Sequence, residues 1–307
     1  MNMKAALIGY GYWGSKLARN IQNSNDFQID YIIDNSKKNL DNAKKSFPLS
    51  KFYLDYKKLD TSDVDLVVIS TPTKSHYHLA KYFLKYTNVL IEKPLSLKKK
   101  HVIKLEKTSN KYKKKLIVDY PFLFSGSIEY VNNIIKNNKY GKLLEIESFR
   151  EQAPIRNDSD VVWDLGVHDI SILRFLLNSN PIKIHSLKYN TVKTKKKDTA
   201  YINLEYKNNL KVFIKNSWIS PLKIRIMKFK FERAIIICDE NEPIYKIRVF
   251  TRKNNKTPNY KLELPEIDLS EPLFNLIQYV AKSIKTNSNS IFKNNFNLDI
   301  TKVLEKI

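Results

Sequence analysis

At 307 residues the chain is long enough for two domains, and 42% apolar residues suffice for a packed core. A single cysteine, Cys238, excludes an internal disulfide and fits a reducing compartment. Lys and Arg number 54 against 31 Asp and Glu, a net charge of +23 that raises the question of an anionic partner.

Lysine runs such as Lys98–Lys100, Lys113–Lys115 and Lys195–Lys197 carry much of that charge. They read as solvated helix ends and loops in a lysine- and asparagine-rich chain, and no recognised nucleic-acid motif accompanies them. Specific nucleic-acid binding is therefore not expected. No apolar run approaches the length that crosses a bilayer. The opening, MNMKAALIGYG, lacks the apolar core of a signal peptide. The expectation is a cytoplasmic protein without a membrane span.

In chain order, Ala5–Ile8 has the length and bulk of a buried strand. Gly9, Gly11 and Gly14 follow in G-x-G-x-x-G spacing, and Leu17, Ala18 and Ile21 recur at helical spacing. Each glycine has a job in a dinucleotide site. Gly9 permits the tight turn, Gly11 lets backbone approach a pyrophosphate, and Gly14 lets helix and strand pack closely. The helix N-terminus offers N–H groups to phosphates.

Gln28–Ile33 is a second strand candidate and ends at Asp34, twenty residues beyond Gly14. An acid there accepts hydrogen bonds from ribose hydroxyls and repels a 2′-phosphate, which favours NAD. Ser36, Lys37 and Lys38 follow and can hold that phosphate, so NADP stays open; Asp34 also reads as a plain turn residue. Asp65–Ser70 is another buried strand, ending in Thr71-Pro72-Thr73, with His76 beyond it as a site residue or a helix cap. His76–Lys85 reads as a helix. Asn88–Ile91 leads into Glu92-Lys93-Pro94, where the proline biases Lys93 toward extended backbone. Alone, Lys93 reads equally as one more surface lysine. Leu97–Lys113 is helical, and Leu116–Val118 completes a pattern of alternating strands and helices. That pattern predicts a doubly wound parallel sheet over residues 1–119.

Residues 120–307 read differently. Ser125–Asn137 is helical, Leu143–Arg150 is a strand, and a polar segment, Glu151–Asp160, follows. Asp164 and His168 lie four apart, on one face of a helix, where a carboxylate orients an imidazole; the pair reads equally as an ordinary helix-start ion pair. Lys183–Val192, Thr199–Tyr206, Leu210–Trp218, Arg225–Cys238 and Ile244–Thr251 are strand candidates that predict a mostly antiparallel sheet. Leu273–Ile284 and Ile300–Ile307 read as closing helices.

Taken together, Gly9-x-Gly11-x-x-Gly14, Thr71-Pro72 with His76, Glu92-Lys93-Pro94 and Asp164-x-x-x-His168 resemble the Gfo/Idh/MocA oxidoreductases along essentially the whole chain. Val118–Ser127, Trp163–Leu173 and Ser217–Arg225 also look like family segments. The resemblance implies a Rossmann domain followed by an α+β domain with an open sheet that often forms a subunit interface, hence a homo-oligomer, dimer or tetramer. It implies hydride transfer between NAD or NADP and a ring secondary alcohol of a sugar, nucleotide sugar or cyclitol. It makes Lys93 and His168 the catalytic pair, with Asp164 among the catalytic residues as a substrate-binding or orienting group. The cofactor set becomes Gly9, Gly11, Tyr12, Trp13, Gly14, Asp34, Thr71, Pro72, His76, Glu92 and Lys93. The substrate set becomes Tyr120, Arg156, Asp164, Trp218 and Arg225. Arg150, Glu151, Gln152, Arg156 and Asn157 offer hydrogen bonds to vicinal hydroxyls, and Arg150 and Arg156 offer pairs to a phosphate or carboxylate. Trp218 offers a flat face to a sugar ring or base. No metal-spaced Cys/His cluster is present. Three departures bear on the pocket: Asp160-Val161-Val162-Trp163 stands where a glycine-rich lead-in is usual, a glycine turn near Lys230–Ala234 is missing, and Asp119 replaces a frequent glycine.

Overall fold

The apolar runs of the first third of the chain stack into one parallel sheet. In the computed structural model, residues 2–156, 159–192, 196–252, 259–286, 292 and 295–307 are described. The strands are β1 (Met3–Ile8), β2 (Phe27–Ile33), β3 (Lys51–Tyr53), β4 (Leu66–Ile69), β5 (Asn88–Glu92) and β6 (Leu116–Asp119), in the order β3-β2-β1-β4-β5-β6. All five pairings are parallel. All four residues of β4 are buried, as expected of a strand covered on both faces. Helices α1 (Tyr12–Asn23), α2 (Lys37–Ser46), α3 (Thr73–Phe83) and α4 (Lys99–Tyr112) make the crossovers. The lysines at 113–115 do follow a helix end, with Lys113 closing α4 in a left-handed conformation.

Contacts divide the chain into Met1–Pro121 with Glu271–Thr301, and Phe122–Ser270 with Lys302–Ile307. A single cut after Asp119 therefore does not describe the division. Helix α7 (Pro272–Thr286) packs its buried stripe, Leu273, Leu276, Ile277, Val280 and Ala281, with the first unit, against α1. Arg19 binds both carboxylate oxygens of Glu271, at 2.8 and 2.9 Å, and Gln278 donates to the Ser24 carbonyl. Helix α8 (Phe296–Lys306) starts before the expected Ile300.

The second unit holds α5 (Gly126–Lys136), β7 (Leu143–Glu151), α6 (Val167–Leu177), β8 (Lys183–Tyr189), β9 (Thr199–Glu205), β10 (Lys211–Ser217), β11 (Ile224–Phe231), β12 (Ala234–Asp239), β13 (Ile247–Arg252) and β14 (Tyr260–Glu263). The sheet order is β14-β13-β12-β11-β7-β10-β9-β8, antiparallel except for β7 with β10. Alternation sorts its faces. Ile146, Val212, Ile202, Phe229 and Ile236 point inward and are buried. The other face carries Leu187, Tyr201 and Phe213, all exposed, among cross-strand ion pairs. Lys228 and Lys230 hold Glu147 at 3.3 and 2.9 Å, Lys215 holds Glu151 at 2.9 Å, and Lys211 holds Glu205 at 2.9 Å.

The run Arg225–Cys238, read as one strand, is two. The chain turns at Glu232 and Arg233, whose N–H groups donate to the carbonyls of Lys142 and Tyr140. Phe231 and Ala234 are both buried on either side of the turn, and no glycine or proline marks it, so periodicity gave no break.

Candidate active site

The glycine turn separates three requirements. Gly9 sits at φ +96°, and a Cβ there would lie 2.4 Å from the Ser70 carbonyl oxygen. A Cβ on Gly14 would lie 2.1 Å from the Gly9 carbonyl oxygen. The fold itself demands these two. Gly11 is different: no atom lies within 4 Å of a Cβ built on it. It is the N-cap of α1, with no side-chain cap on the helix N–H groups. Open backbone at a helix N-terminus is what a dinucleotide pyrophosphate requires, so these residues fit that cofactor.

Around the turn, Asp34 is buried and tied into the protein. Its oxygens accept from Tyr10 N–H at 2.7 Å, Ser36 N–H at 2.7 Å and the Asn39 amide at 3.1 Å. It thereby pins the glycine turn to the end of β2. Lys37 and Lys38 open α2 and are exposed. Tyr12 is 79% exposed, with the Lys16 ammonium 4.3 Å above its ring.

The ends of β4 and β5 are joined through His76. Its ring is buried, with Nδ1 2.9 Å from the Pro94 carbonyl oxygen and Nε2 2.8 Å from that of Thr71. His76 thus braces two loops from inside. Pro72 is the N-cap of α3, and the Thr71 hydroxyl lies 2.6 Å from that of Ser75. Glu92 ends β5, and Lys93, half-buried, follows it before the cis Lys93–Pro94 peptide.

Asp119 closes β6. Its carboxylate is wholly buried and accepts the Trp13 indole N–H at 2.7 Å. Burial pushes its pKa up to about 6, while the Trp13 N–H and the Lys93 cation act in the opposite direction. Tyr120, the next residue, is 2% exposed and packs edge-on against Phe292 and Phe296. It is a core residue here, not an open substrate contact.

In the second unit, Asp164 lies within one turn of π-helix, Val162–Gly166, and His168 follows at the start of α6. Gly166 lets this turn approach β10 closely, since a Cβ would lie 2.7 Å from Asn216 Oδ1. Asp164 accepts the Trp218 indole N–H at 3.0 Å and pairs with the exposed Arg156 at 3.6 Å. Trp218 is 2% exposed, so its role is to hold Asp164; its ring presents no open face. The His168 ring stands edge-on to Phe122, centroids 5.0 Å apart. Arg150 and Arg225, neighbours across β7 and β11, lie over that same Phe122 ring at 4.4 and 5.2 Å.

Arg150 departs from its expected role as an anion ligand. It is 3% exposed and bound to Asp169 at 3.0 Å. Asp169 also accepts from Ser148 and Asn216. Gln152 accepts from Arg225 at 2.8 Å, and Glu151 points the other way, to Lys215. Asn157 lies outside the described residues. Asp169, Phe122 and the Asp119–Trp13 bond were not anticipated. Strand parity would have flagged the first, because Arg150 shares the inward face of β7 with Ile146 and needs a buried partner. Among the described residues no group of His, Cys, Asp and Glu could hold a metal ion. No helix among them is long and apolar enough to cross a membrane.

Residues 3–120 match the oxidoreductase family with an NAD-binding Rossmann fold, and residues 128–240 match the GFO/IDH/MocA C-terminal domain. An inositol 2-dehydrogenase of Rhizobium meliloti is 25% identical over 201 residues, 60% of this chain and 58% of that protein. The chain thus spans less than two thirds of that curated relative. Among solved structures, a UDP-N-acetylglucosamine 3-dehydrogenase from Acidithiobacillus ferrooxidans superposes with TM-score 0.86 at 18% identity, covering 100% of this chain and 96% of that one. An oxidoreductase from Agrobacterium radiobacter, solved with NAD+, L-tartaric acid and magnesium, gives 0.85 at 17% identity, covering 99% and 95%. These likenesses show the same fold. With both of its domains matched in order, the chain belongs to the Gfo/Idh/MocA family of oxidoreductases.

Proposed function

We propose that the protein is an NAD-dependent oxidoreductase acting on a ring secondary alcohol of a sugar or nucleotide sugar. The observation that carries this reading is Gly11: a glycine the fold does not need, at an uncapped helix N-terminus, in a chain of this family. The dinucleotide, when bound, takes up or supplies the hydride. The protein then has a proton and a developing charge to manage at the alcohol oxygen. His168 takes the hydroxyl proton in oxidation and returns it in reduction. Lys93, as an ammonium, stabilises negative charge on that oxygen. Asp164, fixed by the Trp218 N–H, accepts hydrogen bonds from ring hydroxyls. The negative charge of Asp34 favours NAD over NADP, against the pull of Lys37 and Lys38.

A second reading, a dehydrogenase of free polyols, draws support from Arg150. Its charge is already met by Asp169, which leaves Arg156 and Arg225 as the arginines for an anionic substrate group. Turnover of UDP- and dTDP-linked sugars against the matching free sugars and inositols, with NAD and NADP in parallel, decides between them. Reaction of only uncharged polyols, with a silent Arg156→Ala, would exclude the nucleotide sugar. Binding of NAD or NADH without turnover of any polyol would replace the enzyme by a non-catalytic NAD-binding regulator. We further propose a cytoplasmic homo-oligomer, dimer or tetramer, associating through the open face of the eight-stranded sheet; light scattering of the purified chain tests its mass.

A further inference from the structure

Asp119 is costly where it stands. A carboxylate with no exposure to water loses its hydration, and here only one of its oxygens is compensated by a hydrogen bond. Oδ2 accepts the Trp13 N–H, while Oδ1 is buried and accepts none. An asparagine would accept the same indole N–H without the burial of charge. What the carboxylate alone adds is negative charge at the register position opposite Glu92, the residue before Lys93. The topology brings these groups together. Asp119 is the register partner of Glu92 at the adjoining end of β5, and Lys93 is the next residue. Trp13 lies between Gly11 and Gly14, at the N-terminus of α1. One buried side chain therefore touches the glycine turn and stands in register with the residue before Lys93.

We propose that Asp119 is a positioning residue that couples these two parts: one oxygen holds Trp13, and with it the start of α1, while its charge steers the Lys93 ammonium. The activity half of this proposal rests on the reading of Lys93 given above; the electrostatic half does not.

The test uses the full chain and Asp119→Asn, which keeps an acceptor for Trp13 and removes the charge. Asp119→Ala removes both. The first measurement is modification of Lys93 by an amine reagent at pH 8, followed by peptide mass spectrometry with exposed lysines as internal references. The expected result is a change in Lys93 rate of about three-fold or more in Asp119→Asn, with the references unmoved. An unchanged Lys93 rate overturns the proposal. The second is titration with NADH: Asp119→Asn should bind within about two-fold of wild type, and Asp119→Ala about ten-fold more weakly, having lost a charge-assisted bond to Trp13. Equal affinity of the Ala variant would remove Trp13 from the argument. The third is turnover of any accepted sugar, where Asp119→Asn should lower kcat about ten-fold with little change in KM for cofactor. A normal kcat alongside an altered Lys93 rate would leave the electrostatic coupling standing and remove Lys93 from the chemistry.

Discussion

The indole N–H of Trp218 donates to Oδ2 of Asp164 at 3.0 Å, joining the end of the β10 segment to the π-helical turn before α6. Both residues are buried, so the bond decides where one carboxylate oxygen points. Trp218→Phe keeps most of the ring volume and removes the donor. Removing this donor from a buried carboxylate should destabilise the fold by about 1–3 kcal/mol, read as a lower urea midpoint. It should also raise the substrate KM. A variant with wild-type midpoint and KM would show the bond to be incidental.

Gly11→Val and Gly14→Ala should behave in opposite ways. The space beside Gly11 is open, so Gly11→Val should fold with a melting temperature close to wild type and bind NADH far more weakly. Gly14→Ala meets the Gly9 carbonyl and should lose stability before any ligand is added. Calorimetry without and with NADH separates the two. Unaltered NADH affinity in a folded Gly11→Val protein would sink the dinucleotide reading of the turn.

The buried Asp119 makes stability fall with pH. Its pKa stands near 6 in the folded protein, against an ordinary value of 3.8. The folded state therefore holds the proton more tightly than the unfolded state. The corresponding stability is complete below pH 4 and is lost as pH rises through 6. A shift of this size corresponds to about 3 kcal/mol. Asp119→Asn lacks this dependence, so its stability relative to wild type should improve by that order between pH 4 and pH 8. Parallel pH profiles for the two proteins would contradict the assignment.

Lys93→Ala and His168→Ala should each leave the fold intact and lower turnover by ~100-fold or more, the scale of a positioned acid–base group. Normal turnover by a folded His168→Ala enzyme would rule it out as the base.

Much of this was legible in the sequence where cause and effect are close together. A strand, a glycine turn and a helix within Met3–Asn23 satisfy each other locally, and the continuous apolar runs of β4 and β5 announce strands covered on both faces. Interactions between distant segments were not legible. Trp13 meets Asp119 across 106 residues, and Trp218 reads as an open aromatic until Asp164 is seen to hold it inside. Arg150 looked available as an anion ligand because a strand end followed by polar letters does not show which face the last residue takes. It is the last inward residue of β7 before Glu151, and Asp169 waits for it. The return of α7 to the first unit had no local mark, because an amphipathic helix does not state which sheet it will cover.

The ion pairs along the open face of the eight-stranded sheet have a consequence for ionic strength. There lysines and glutamates already neutralise one another across β8 to β11, while the molecule as a whole carries +23. Two copies meeting through Leu187, Tyr201 and Phe213 would bring together faces with little charge of their own, on bodies that repel at long range. Salt shortens that repulsion to about 8 Å under physiological conditions. Self-association through this face should therefore strengthen as salt is added, whereas any adventitious hold on nucleic acid should dissolve steeply over the same range.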